Sequence, residues 1–310
     1  MELHQLRVLR ELAERGSVRA AAEALYITPS AVSQHLKSLQ RSAGRPLVTH
    51  EGRRLVLTDA GRALAAAAVE VEESMALARN AIQRDAERVD RVVSIAAFPS
   101  AGQLFLPRIA ARFASADGPH VALADHDAAP EQTVALCGDY DVVIAHRWRI
   151  HRTWPAGHVH VTPLLDEPYD VALPAAHPLA QRPHLRPQDL LSVEWIAGQA
   201  GWAPAGIITA IGAVAGEEPQ VRHRINDLAT AVAMVRDVGG VTLVPRFVGD
   251  HLVGDGVVTR PLDGVDAFRQ VAALTRPDRR VSVAVACVVD ALGEVAAQLR
   301  ADHRWRPPAT

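Results

Sequence analysis

The chain has 310 residues, room for two or three domains, with 49% hydrophobic content but only 4% aromatics, so its cores must be built from Ala, Val, Leu and Ile. A net charge of −2 excludes a uniformly basic nucleic-acid coat protein, yet residues 1–58 hold nine Lys and Arg against five acids, a local excess of +4 that suits one DNA-contacting module. The N-terminus has no signal-peptide core and no apolar run approaches the ~18 residues of a membrane span, so a cytoplasmic protein is expected.

Leu3, Leu6, Leu9 and Leu12 form an apolar stripe on a first helix that Gly16 ends. Ser17 caps a second helix whose small residues Ala20, Ala21, Ala22 and Ala24 let a neighbour pack close, and Tyr26-Ile27 make the turn. Thr28 is a good N-cap and Pro29 fits the first helical position. In this third helix Val32, Leu36 and Leu39 share one face, while Ser30, Ser33, Gln34, Lys37 and Arg41, with His35 beside them, offer a polar surface without a carboxylate. Gln and Ser read base edges and Lys and Arg neutralise phosphate, so Thr28, Pro29, Ser30, Ser33, Gln34, His35, Lys37 and Arg41 are candidate DNA contacts. An ordinary amphipathic helix with a solvated face has the same pattern. Two short strands, Pro46–Thr49 and Leu55–Leu57, then flank a turn that carries Arg53 and Arg54, a wing suited to phosphate or a minor groove; a solvated turn is the alternative.

Thr58 caps a long helix to about Glu87, in which Leu64, Ala68, Val71, Met75, Ala78 and Ile82 are spaced as a heptad seam. A lone helix between domains needs a partner to cover such a seam, so a dimer is expected, placing two heads on two half-sites. From Arg91 onward short apolar strands alternate with helices, the mark of α/β structure with a parallel sheet.

Ser17, Ala21-Ala22, Leu25, the segment TPSAVSQHLKSLQ from Thr28 to Gln40, Gly44, Leu47 and Leu57-Thr58-Asp59-Ala60-Gly61 form one ordered pattern. On these, residues 1 to about 87 resemble the head and linker helix of the LysR-type transcriptional regulators. Two departures stand out: Leu39-Gln40 replaces the family's Leu-Glu, and Val48-Thr49-His50 replaces its Phe-x-Arg, where imidazole in place of guanidinium weakens a phosphate contact. The resemblance implies a winged helix-turn-helix at residues 1–58, a dimerising linker helix at 59–90, and a two-lobed α/β effector domain at 91–302 like the type 2 periplasmic binding proteins. Lobe I would hold 91–162 and 266–302, lobe II 163–265, with crossings near His158–Leu164 and Val257–Pro261. It also implies that a small effector closes the lobes and alters how a dimer or tetramer spaces its DNA heads.

In such lobes ligands lie beyond strand C-termini near helix N-termini, where free N–H groups favour an anion. Phe98 and Ser100 precede a helix expected from about Gly102, Gln199 and Trp202 follow a strand, Arg147 follows another, and Asn226, Thr242 and Pro245 close the set of candidate effector contacts. Ser100 would serve equally as a helix cap, Asn226 and Asp227 open a helix where capping is the simpler role, and Trp202 would serve as packing.

Enzyme readings find no support: Walker A, GxGxxG, HExxH, CxxC and Gly-x-Ser-x-Gly are all missing. His151, His158 and His160 cluster in HRTWPAGHVH, but their spacing matches no common metal site, and neither metal nor cofactor is expected. Cys137 and Cys287 lie in apolar runs and read as small buried residues. An architectural DNA-binding protein without an effector is the remaining alternative, for which some 220 residues of two-lobed structure would have no use.

Overall fold

The computed structural model describes residues 1–52, 54–83, 91–114, 118–127, 130–148, 154, 159–199 and 205–303. Arg53, His151, His158 and Trp202, and the side chain of Ile82, lie outside them. The head comprises α1 (Leu3–Arg15), α2 (Val18–Ala24), α3 (Pro29–Ala43) and a hairpin of β1 (Val48–Glu51) and β2 (Arg54–Leu57). Both inter-helix punctuations act as read: Ser17 Oγ accepts from Ala20 N, and Gly16 ends α1 at φ 69°. Leu6, Leu9 and Leu12 meet Ala21, Val32, Leu36, Leu39 and Leu47 in one core. β1 sits two residues later than expected and takes in His50 and Glu51, while β2 begins one residue earlier, at Arg54.

The linker α4 (Asp59–Gln83) leaves the head through a constrained joint. Thr58 Oγ1 accepts from Gly61 N and donates to Pro46 O, both at 3.0 Å. A Cβ on Gly61 would lie 2.0 Å from the Leu47 carbonyl oxygen, a backbone atom that cannot swing aside. The seam read from the sequence is therefore divided. Leu64 and Ala68 face inward and complete the head's own core, a correction to their assignment as partner contacts, because close approach at Gly61 lays this first stretch of α4 on α1. Val71, Met75 and Ala78 are exposed farther along.

The second domain contains one seven-stranded mixed sheet, β10-β6-β11-β5-β3-β4 in order, with β9 also on β6. Here β3 is Val92–Ala97, β4 His120–Asp125, β5 Val142–Trp148, β6 His160–Pro174, β9 Thr242–Pro245, β10 Val257–Pro261 and β11 Phe268–Thr275. β3 runs parallel to β4 and β5, with α5 (Pro99–Arg112) and α6 (Pro130–Leu136) as crossovers. Where the sequence suggests a crossing near 158–164 followed by a separate strand, the structure has one 15-residue strand. Its first half pairs with β11 in lobe I and its second half with β9 and β10 in lobe II. Lobe II adds the parallel pair β7 (Trp195–Ala197) and β8 (Val221–Arg224), with α7 (Ala205–Ala215), α8 (Leu228–Val238) and α9 (Arg246–Leu252). The last helices are α10 (Pro277–Arg280) and α11 (Val283–Asp302), and α11 covers lobe I. Cys137 is buried, but Cys287 is exposed on α11, which corrects its assignment to the core: a helix turns every apolar run partly outward.

Head and lobe I meet through charges. Arg276 Nη1 lies 3.2 Å from Glu11 and 3.5 Å from Glu14 of α1, and Nη2 lies 3.6 Å from Glu72 of α4. Arg10 pairs with Glu11 and Glu72, and Arg15 reaches Asp139 at 2.9 Å. Burial, opposed by Arg10 and reinforced by Glu11, Asp278 and Glu72, pushes the Glu14 carboxyl up to about 7.

Two outcomes are expected. Gly61→Ala should lower head stability by about 2 kcal/mol or more, because the new methyl meets fixed backbone; an unchanged melting temperature would refute the joint. Because the Glu14 carboxyl titrates higher folded than unfolded, its favourable contribution is complete below its unfolded value and is lost as pH rises through about 7. Glu14→Gln should therefore melt close to wild type at pH 5 and about 2–5 °C above it at pH 8, measured by calorimetry.

Candidate nucleic-acid interface and ligand cleft

The exposed side of α3 carries Thr28, Pro29, Ser30, Ser33, Gln34, Lys37 and Arg41. Thr28 Oγ1 accepts from Ala31 N and shares a 2.8 Å hydrogen bond with Ser30 Oγ, so the helix N-terminus is capped and rigid. Ser33 Oγ donates to the Pro29 carbonyl at 3.0 Å, which leaves its lone pairs for a donor on a base. Gln34, Lys37 and Arg41 extend the same surface, and Arg54 is exposed on the wing. His35 is different: it is half-buried and its ring packs edge-on against His4 of α1, 4.7 Å between centroids. The structure thus gives it a helix-packing contact, because it stands between the exposed stripe and the core.

The departure at Gln40 has a structural answer. Its Oε1 accepts from Leu47 N at 2.9 Å and Val48 N at 3.2 Å, satisfying the backbone that leads into the wing, and an amide oxygen does this as a carboxylate would. The sequence reading missed Tyr26 as a candidate contact. It is the one non-glycine with positive φ among the described residues, at 53°, and its side chain is 96% exposed at the turn before α3. A bulky residue in the left-handed region costs about 1 kcal/mol, and a turn residue that polar composition would hide from view can only be recognised from its dihedral.

In the second domain the candidates fall into groups. Helix α5 begins at Pro99, earlier than expected, so Ser100 lies inside its first turn and Phe98 is the N-cap, without a side-chain cap bond. Ser100 Oγ accepts from Arg269 Nη1 at 2.9 Å. Arg269 is 2% exposed; its Nε donates to Glu167, itself fully buried, at 2.7 Å. The guanidinium stacks over Phe98 at 4.9 Å and Tyr169 at 5.5 Å. His146 packs on Phe98 at 4.5 Å, and burial, then the Arg269 charge, holds its imidazole well below the usual range, hence neutral. Arg269, Glu167, Tyr169 and His146 carry no local motif; only the pairing of β11 with β5 and β6 assembles them.

The lobe II candidates gather elsewhere. Asn226 Oδ1 accepts from Gln199 N at 2.8 Å, and it is Asp227, not Asn226, that caps α8. Asn226 and Thr242 line a small cavity of about 30 Å³. Thr242 Oγ1 donates to the Ile196 carbonyl at 2.8 Å, a bond within the lobe, and Pro245 is the buried residue from which α9 starts. Arg147 donates to Gln270 at 3.0 Å and lies over the Trp154 ring at 5.7 Å, apart from the Arg269 group.

Residues 3–62 match the bacterial regulatory helix-turn-helix of the lysR family, and residues 86–297 match the LysR substrate binding domain. The chain belongs to the LysR family. It is accordingly a DNA-binding transcriptional regulator with an effector-binding domain, and not an enzyme. It is 27% identical over 271 residues to the Hca operon transcriptional activator HcaR of Escherichia coli K12, covering 85% of this chain and 88% of that one. Identity to the E. coli dual regulator OxyR is 25% over 280 residues, 89% and 90% of the two chains. Among solved structures, a full-length OxyR variant from Pseudomonas aeruginosa superposes with a TM-score of 0.65 at 20% identity, over 96% of this chain and 94% of that chain. Full-length CbnR complexed with its target DNA gives 0.53 at 20% identity, over 96% and 100%. No helix among the described residues is long and apolar enough to cross a membrane, and none of them cluster as a metal site.

Tyr26 yields a test. Tyr26→Asn should stabilise this LysR-family head by about 0.5–1 kcal/mol, since Asn tolerates the left-handed region. If the ring also touches DNA, the same variant loses affinity while gaining stability; a fall in melting temperature would contradict the strain argument.

Proposed function

We propose that this regulator reads DNA with the Ser30–Ser33–Gln34–Lys37–Arg41 face of α3 and the cations of its wing, works in the cytoplasm as a dimer or tetramer, and responds to a small anionic effector held at Arg269 and Ser100. The observation that carries the effector reading is the buried guanidinium at the first turn of α5, flanked by the Phe98 and Tyr169 rings. Glu167 supplies the counter-charge, so an effector carboxylate would share or take over a partner that the protein already provides. The exposed Val71, Met75, Leu77 and Ala78 of α4 support self-association through the linker.

Thiol oxidation at Cys137 is not the signal this geometry supports. Burial pushes the Cys137 thiol up to about 12, and a thiol held protonated is a poor nucleophile.

Fluorescence anisotropy on DNA fragments selected from a random library tests the interface. Gln34→Ala or Ser33→Ala should narrow the gap between selected and unrelated DNA. Lys37→Ala or Arg54→Ala should weaken both equally and reduce the salt slope by about 1. A panel of small organic acids, scored by thermal shift, tests the cleft: at least one should stabilise wild type and not Arg269→Met/Glu167→Gln, in which both buried charges are removed. Absence of any shift, or a shift that persists in the double variant, would overturn the effector site and favour an architectural role.

A further inference from the structure

The junction between head and lobe I is the part of this molecule that the DNA-binding and effector readings leave unused. Among the described residues no hydrophobic cluster spans it: the buried head core runs over residues 6–68, and the lobe I cores begin at residue 93. What crosses it is a buried set of guanidiniums and carboxylates. Arg276 and Asp278 come from lobe I, Arg10, Glu11 and Glu14 from α1, and Glu72 from α4, and Arg276 lies within 3.6 Å of all four carboxylates. The set borders a polar cavity of about 410 Å³ lined by Arg7, Arg10, Arg15, Glu72, Arg276 and Arg279, among others. Arg10 Nε and Glu72 Oε1, both in that lining, find no hydrogen-bond partner within the protein.

An interface of this kind is specific in geometry yet weak against separation. Apolar contact would resist water, whereas each of these charges can exchange its partner for solvent when the two parts move apart. The connection to the cleft is covalent and stiff. Arg276 directly follows β11, and Arg269 lies at its second position, seven residues or about 23 Å away at ~3.3 Å per residue. β11 is held on both sides, by β5 and β6, and its register shifts between Val271 and Ala272, between the two arginines. The unbroken ladder with β5, from Arg269 to Leu274, carries a displacement at one end toward the other.

We propose that Arg10, Glu11, Glu14, Glu72, Arg276 and Asp278 form a charge latch through which lobe I sets the position of the DNA-binding head, and that β11 ties the latch to the cleft. The latch itself rests only on the junction geometry; its tie to the cleft rests on the effector reading above.

The test is cross-linking of the full chain, without DNA or any small molecule, so that its outcome is independent of whether an effector is found. Ala24→Cys on the head and Ala135→Cys on lobe I, in a Cys137→Ala/Cys287→Ser background, report on the junction, since Ala24 lines its cavity together with Gly138, beside which Ala135 stands. A short bis-maleimide should join them within one chain, seen as a species at monomer mass. Arg276→Gln should slow this reaction at least about fivefold, the equivalent of losing close to one strong ion pair. Glu11→Gln, made on the head so that lobe I keeps all its own residues, should do the same, and circular dichroism should report an unchanged fold. Arg222→Gln, in an exposed pair of lobe II, should leave the rate unchanged. An unaltered rate in both Arg276→Gln and Glu11→Gln overturns the latch. Arg269→Met/Glu167→Gln should also shift the rate; no shift there, with the latch variants behaving as stated, overturns the tie to the cleft.

Discussion

Two buried guanidiniums stand at the ends of one strand, and a guanidinium taken out of water must keep a carboxylate beside it. Arg269 meets Glu167 inside the effector domain, and Arg276 meets Glu11, Glu14 and Glu72 at the junction with the head. Each pairing joins elements far apart in sequence, so each constrains how large parts of the molecule sit. Removing one partner from such a pair leaves a charge stranded in a poor solvent, which costs several times what the intact pair contributes. The architecture is therefore specified at these two points more by electrostatics than by apolar packing, while packing stabilises each lobe by itself.

The head follows a different logic. Its core is entirely aliphatic, and away from the charged junction with lobe I many of its polar residues satisfy backbone groups or face outward. Thr28 and Ser17 cap helices, Gln40 and Thr58 bind the backbone on either side of the wing, and Gly61 permits α4 to lie against Leu47. With these groups occupied, Ser30, Gln34, Lys37 and Arg41 are left as a rigid outward surface. Rigidity matters for reading a groove, because a side chain carried on a fixed helix loses less freedom on binding. The family's helix-turn-helix match, residues 3–62, contains this surface.

Linking the two parts is a helix whose heptad spacing serves two ends. The early positions Leu64 and Ala68 close the head, and the later Val71, Met75 and Ala78 are exposed. Glu72, on the intervening face, joins the ion cluster. One helix thus touches the head core, the junction and solvent in successive turns, which is why its periodicity alone does not say what covers each position.

Read alone, the order of amino acids specifies the helix-turn-helix, its caps, the wing, the linker helix and the alternating α/β character of the remainder. Those signals are local: a capping hydroxyl, a helical apolar stripe or a glycine acts on residues within a few positions. Folding in three dimensions was needed to show that His35 packs against His4, that Leu64 and Ala68 turn into the head, and that two expected segments are the single strand β6. The same holds for Ser100 meeting Arg269 and Arg276 meeting Glu11, contacts across 169 and 265 positions of chain. A lone arginine in a strand looks the same in sequence whether it faces water or a buried carboxylate, and only the register of its neighbours in the sheet tells the two apart.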